Sequence, residues 1–152
     1  MTRSERILAL GDLGERTVLR WFNYHGIQGE RTDDWFDAEK DMTVEGKTVE
    51  VKTLLPIYMY NAFCLPFKQG PKCDEVDRLI FLQIPKNGGE ALELYESEKD
   101  EDGKRDYFKE YFNNEFCRFY RLTSLTKLGT IWDYDVSNEL WKLSPSTYKG
   151  YA

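Results

Sequence analysis

Histidine is nearly missing from this chain: His25 is the only one in 152 residues. That scarcity leaves Ser-His-Asp, Cys-His and two-histidine metal chemistries short of a part. The neighbours Tyr24 and Gly26 suit His25 instead to the C-terminal end of a helix. Cysteine is sparse as well. Cys64, Cys73 and Cys117 are odd in number and widely spaced, which fits free thiols in a reducing compartment and neither a disulfide framework nor a CxxC zinc site. No apolar run is long enough to cross a bilayer, and Met1 to Glu5 lead straight into an amphipathic pattern without a secretory stretch. A soluble, cytoplasmic protein with no membrane partner is therefore expected, and no nucleotide cofactor. Basic charge is also in short supply. The 21 Lys and Arg face 27 Asp and Glu, a formal net charge of −6. Broad adhesion to nucleic acid comes from Lys and Arg on phosphates, so this balance argues against it. A local patch can still bind, because divalent cations reverse the potential at a carboxylate-rich site.

The 41% hydrophobic and 15% aromatic content is too high for a disordered chain, and the length suits a single domain spanning residues 1–152. Ile7, Leu10, Val18, Trp21 and Phe22 recur at helical spacing, which predicts a helix from about Glu5 to Tyr24, ended by Gly26 and Gly29. Gly11 and Gly14 inside it predict a close approach to another backbone. Residues 30–40 are polar and irregular. Asp41–Val44 and Thr48–Lys52, on either side of Glu45-Gly46-Lys47, predict a β-hairpin. From Pro56 to Phe67 no form is evident, and Gly70-Pro71 reads as a turn. Val76–Pro85 is dense in β-formers and predicts a buried central strand, with a hairpin partner at Ala91–Tyr95. Glu96–Asp106 reads as a solvated charged loop. Phe108, Tyr111, Phe112, Phe116 and Phe119 fit a helix, although Phe116–Leu122 also alternates like a strand. A short helix capped by Ser124 and stopped by Gly129 follows, then a tail with Trp132, Tyr134, Trp141, Tyr148 and Tyr151. This order gives an α/β fold with a mixed sheet flanked by helices.

Chemistry gathers on the hairpin. Side chains alternate along a strand, so Glu50 and Lys52 share one face while Val51 points to the other. The turn near Gly46 brings Asp41 opposite the Glu50 end, and two carboxylates and an ammonium converge. That grouping suits metal-assisted phosphodiester hydrolysis, with Asp41, Glu50 and the Val51 carbonyl holding Mg²⁺, which activates a water. Lys52 would orient the nucleophile or stabilise the transition state. A Glu-x-Lys pair in a strand also arises as ordinary solvated charge; Asp41 across the turn favours a site. Asp33, Asp34 and Asp37 form an alternative first carboxylate set that fits the hairpin less well.

At these residues the chain resembles the PD-(D/E)xK nuclease superfamily, which includes restriction endonucleases and archaeal-type Holliday junction resolvases. Asp41 to Thr53 carries the spacing D-x8-E-x-K over a hairpin. The resemblance covers roughly residues 5–95 and leaves an aromatic-rich C-terminal extension from about 96 to 152. Lys40 stands where the family name has proline. The resemblance implies a restriction-endonuclease-like core and a DNA endonuclease dependent on Mg²⁺, with Mn²⁺ as a substitute, leaving a 5′-phosphate and a 3′-hydroxyl. Branched or junction DNA is one candidate substrate, and RNA stays open. It also implies a glutamate on the first helix lining the metal site; Gly11-Asp12-Leu13-Gly14-Glu15 looks like that element, which makes Glu15 the candidate. The alternative for Glu15 is a surface pair with Arg16 or Arg20. Asp77 reads as structural. Glu15, Asp41 and Glu50 crowd negative charge around Lys52 as the one cation, so a metal-free site is expected to repel DNA and to raise a carboxylate pKa. Cutting two strands needs two sites, hence an expected homodimer through the C-terminal aromatics, which read as core packing and a dimer interface ahead of the alternative, stacking on bases. A rival class is a non-catalytic acidic interaction protein on a nuclease-like fold.

Overall fold

The computed structural model of the chain describes residues 1–31 and 42–144. Asp33, Asp34, Asp37, Lys40, Asp41, Tyr148 and Tyr151 lie outside them. The described elements are α1 (Arg3–Tyr24), β1 (Gly29–Arg31), β2 (Met42–Val44), β3 (Lys47–Leu54), β4 (Ala62–Pro66), α2 (Gly70–Glu75) and β5 (Arg78–Gln83). They continue with β6 (Leu92–Ser97), β7 (Phe108–Phe112), β8 (Glu115–Arg121), β9 (Thr126–Ile131) and α3 (Tyr134–Leu143). Helix α1 starts where the Thr2 hydroxyl accepts the Glu5 backbone N–H at 3.1 Å, and it ends at His25, as anticipated.

Six strands form a sheet in the order β1-β2-β3-β5-β6-β9. The β2–β3 hairpin pairs Met42 with Val49, Thr43 with Thr48 and Val44 with Lys47. Its turn residues Glu45 and Gly46 both have positive φ, 50° and 79°, the backbone that a two-residue turn between twisted strands requires. Strand β3 runs parallel to β5, and the other pairings are antiparallel, so the sheet is mixed. A parallel pair needs a crossover. Here the crossover carries β4 and α2 into a second layer.

That layer is a three-stranded sheet, β4-β8-β7, and it corrects the helix expected for the aromatics after Tyr107. Phe108 to Phe119 form two strands, joined by Asn113 and Asn114 at φ 51° and 63°. Asparagine tolerates that conformation, and two such residues in a row close a hairpin. The helix expected between Ser124 and Gly129 is instead a 3-10 turn at Leu122–Ser124 followed by β9. Gly129 sits inside that strand because Trp21 of α1 lies over it, and a Cβ there would be 3.1 Å from the indole. Gly70-Pro71 is not a free turn but the first residues of α2, where proline's missing N–H costs nothing.

The loop expected at Glu96–Asp106 is solvated from Glu98 to Lys104 and again at Asp106. Glu96 is buried in β6, where Arg78 binds its two oxygens at 2.7 Å each. Arg105 is buried as well. Its guanidinium donates to the carbonyls of Cys73 at 3.1 Å, Val76 at 2.8 Å and Ser97.

Alternation along β3 and β5 sorts the two cores. Val49, Val51, Ile80 and Leu82 pack with Leu10, Val18 and Phe22 of α1 and Leu140 of α3. On the other face, Leu79 and Phe81 pack with Phe63, Cys73, Val76 and Tyr120. Glu50 pairs with Leu79 and Lys52 with Phe81, so both belong to that second face. Gly14 lets α1 approach β3: a Cβ there would overlap the Thr53 hydroxyl and lie 2.9 Å from Thr53 Cβ. The close approach is therefore to a side chain rather than to a backbone, whereas Gly11 meets no neighbouring element within 4 Å among the described residues. Among the described residues no helix is long and apolar enough to cross a membrane, and the three cysteines are free thiols.

Candidate active site

Among the described residues, β2 pairs with β3 only as far as Val49. Beyond that point side chains from both faces of β3 line one cleft of about 430 Å³. Gly11 and Glu15 come from α1, Glu50, Val51 and Lys52 from β3, and Gln69 and Lys72 from the start of the crossover helix.

Glu50 is 2% exposed, and a carboxylate so buried is costly unless cations face it. Two do. Lys52 Nζ lies 3.1 Å from Oε1 and Lys72 Nζ 3.0 Å from Oε2. Lys52 is fixed from a second side, donating to Gln69 Oε1 at 2.8 Å. The buried neighbour Cys73 shows the same environment in its thiol: burial pushes it up, and the charge of Lys52 only partly opposes this.

On the α1 wall, Glu15 accepts from Arg31 Nε at 2.9 Å. Arg31 also binds Asp12, whose other oxygen accepts from Arg16 at 3.0 Å. Burial works to raise the Asp12 carboxyl, but Arg31 and Arg16 outweigh it and hold the group below the usual carboxylate range. Glu15 thus pairs with Arg31 of β1, not with Arg16 or Arg20, and faces the cleft rather than bulk solvent.

The structure brings Glu15, Glu50, Val51 and Lys52 to one place. Asp41 lies outside the described residues; its chain neighbour Met42 pairs with Val49, next to Glu50. Among the described residues no group of three or more His, Cys, Asp or Glu is placed to hold a metal. Asp77 is structural, as expected. Its Oδ2 accepts the Thr48 N–H at 2.9 Å, while its own N–H donates to Thr48 Oγ1 at 3.0 Å. The sequence reading missed Gln69 and Lys72, because Gly70-Pro71 reads as a turn and hides the helix that carries Lys72. Lys52 is therefore not the one cation at the site.

The aromatic C-terminal third divides. Phe119 and Tyr120 are fully buried, and burial pushes the Tyr120 phenol up to about 12. Tyr111, Trp132 and Tyr134 are exposed. Compared with protein-family models, with curated proteins and with solved structures, the chain matches none.

Proposed function

We propose that this protein is a divalent-metal-dependent nuclease of the PD-(D/E)xK type, with a restriction-endonuclease-like core, acting on DNA. The observation that carries the reading is the buried carboxylate of Glu50, which shares a cleft with Lys52 and with Glu15 from the first helix. The donors available are hard oxygens, which fit Mg²⁺ or Mn²⁺, and a divalent ion on Glu50 would displace at least one of the two ammonium groups that meet it. Glu50, Asp41 and the Val51 carbonyl would hold the ion, with Asp41 supplying the second carboxylate that the described residues do not include. Bound there, the ion supplies Lewis acidity and a nucleophile at neutral pH. Lys52, held by Gln69, keeps a positive charge beside Glu50, where a phosphate oxygen gains charge in the transition state. Glu15, anchored by Arg31, lines the same cleft from α1 and would face the ion. A homodimer joined through exposed rings such as Trp132 and Tyr134 would place two such clefts on one duplex or junction.

A specific observation favours a second reading. Both Glu50 oxygens are matched by lysines, as in a purely structural ion cluster inside an acidic interaction protein. Supercoiled plasmid and a four-way junction, incubated with Mg²⁺, Mn²⁺, Ca²⁺ or EDTA, separate the two. Nicking is expected in Mg²⁺ and Mn²⁺, and binding with little cutting in Ca²⁺. Asp41→Asn and Lys52→Ala should each lower cutting by on the order of 100-fold or more, the first keeping metal-free DNA binding and the second weakening it. Equal cutting in EDTA, or full activity in both variants, rejects the nuclease.

A further inference from the structure

Among the described residues, Lys72 is a cation on Glu50 that the D-x8-E-x-K pattern does not contain, and its surroundings differ from those of Lys52. Lys52 comes from β3 itself, is 19% exposed along its side chain and is tethered to Gln69. Lys72 comes from the crossover helix and is 33% exposed, although the oxygen it touches belongs to a carboxylate that is only 3% exposed. A partly exposed side chain thus reaches a buried carboxylate oxygen. Lysine carries its charge on a flexible four-carbon stem, which can re-aim a point charge by several ångströms without moving the backbone. Any other cation that takes Glu50 Oε2 has to meet Lys72 first.

We infer that Lys72 is a phosphodiester-binding residue of this cleft, and that in the metal-free protein it occupies Glu50 Oε2 and competes there with a divalent ion. The inference rests on the nuclease reading and adds to it a substrate-binding residue and an order of events. When Glu50 turns to a divalent ion, Lys72 releases Oε2 and its ammonium swings into the mouth of the cleft. There it takes a non-reacting oxygen of the nucleic-acid backbone, while Lys52 stays beside the reacting one. The exchange also explains how an acidic protein keeps its site from repelling DNA. Glu50 is never bare, because Lys72 covers it until a stronger cation arrives.

Two equilibrium measurements that require no turnover test this. Mn²⁺ affinity is measured by electron paramagnetic resonance without DNA, and binding of a hairpin-closed duplex by fluorescence anisotropy in Ca²⁺ across a salt series. Lys72→Met should tighten Mn²⁺ binding, since a competing cation is gone, and weaken DNA binding by about tenfold. The slope of log K against log salt should fall in magnitude by roughly 0.9, the value for one lost phosphate contact. Lys72→Arg should keep the wild-type slope. A purely structural tie between α2 and β3 predicts something else: both affinities fall in Lys72→Met and the slope does not change. That result, or a Lys72→Met protein unchanged in either assay, overturns the proposal while leaving the nuclease reading intact. If wild-type protein binds neither Mn²⁺ nor DNA, both fall together.

Discussion

Gly14→Ala should destabilise the protein although it replaces glycine inside a helix. On propensity alone the change gains about 1 kcal/mol. Against that, the new Cβ would overlap the Thr53 hydroxyl and sit 2.9 Å from Thr53 Cβ and 3.1 Å from Cγ2, so α1 must lift from β3 or Thr53 must move. Overpacking of this severity costs about 3 kcal/mol, which leaves a net loss of about 2 kcal/mol. With an m value near 1.5 kcal/mol per molar urea, the midpoint should fall by about 1.3 M. Gly11→Ala is the internal control. Among the described residues nothing outside its own stretch of helix lies within 4 Å of its Cβ position, so it should gain about 1 kcal/mol. Thr53→Ala removes most of the obstacle, and also a buried hydroxyl that has no hydrogen-bond partner among the described residues. It should cost less than about 1 kcal/mol alone and recover about 1–2 kcal/mol of the Gly14→Ala loss in the double variant. The assay is urea unfolding followed by circular dichroism. If Gly14→Ala raises the midpoint as Gly11→Ala does, or if Thr53→Ala fails to rescue it, the helix–strand contact described above is wrong.

Arg105→Met leaves the carbonyls of Cys73, Val76 and Ser97 without their buried donor. It should cost about 3 kcal/mol, seen as a Tm lower by roughly 9 °C, and an unchanged Tm would return that segment to the status of a loose loop. Asp77 is held below the usual carboxylate range by the Thr48 backbone N–H. Its folded pKa is thus lower than its unfolded one, so its contribution is present above about pH 4 and is lost as pH falls through the folded value. Asp77→Asn should remove that part of the acid limb in a stability-versus-pH series, and an acid limb identical to wild type would contradict it.

Helix α1, the β2–β3 hairpin and β5 were legible because each has an unambiguous period or turn residue. Gly46 marks the turn, and the run Leu79-Ile80-Phe81-Leu82 has no face left for solvent. The aromatic segment misled for a physical reason. Phe108, Tyr111 and Phe112, then Phe116 and Phe119, satisfy helical spacing, yet Asn113-Asn114 between them is a hairpin turn, and that pair outweighs the periodicity. Burial of Glu96 and Arg105 could not be read from composition, since each is compensated by a group distant in sequence. The candidate site was half legible. Glu50 and Lys52 follow from strand alternation and Glu15 from the resemblance, but Lys72 needs the crossover geometry, which no local pattern encodes.

That crossover also sets a timetable. Strand β4 has its ladder partner in β8, from Cys117 to Arg121, and Arg118 grips Asp74 of α2 through two bonds of 2.9 and 3.0 Å. The guanidinium fits there because Gly70 offers no side chain to collide with it. The wall that presents Lys72 to Glu50 and Gln69 to Lys52 is thus fastened by residues made some fifty positions later in the chain. On the ribosome, a nascent chain that has already exposed Glu50 and Lys52 still lacks the means to hold α2 in place. Competence of the cleft is a property acquired only once β8 has been made, not with the motif itself.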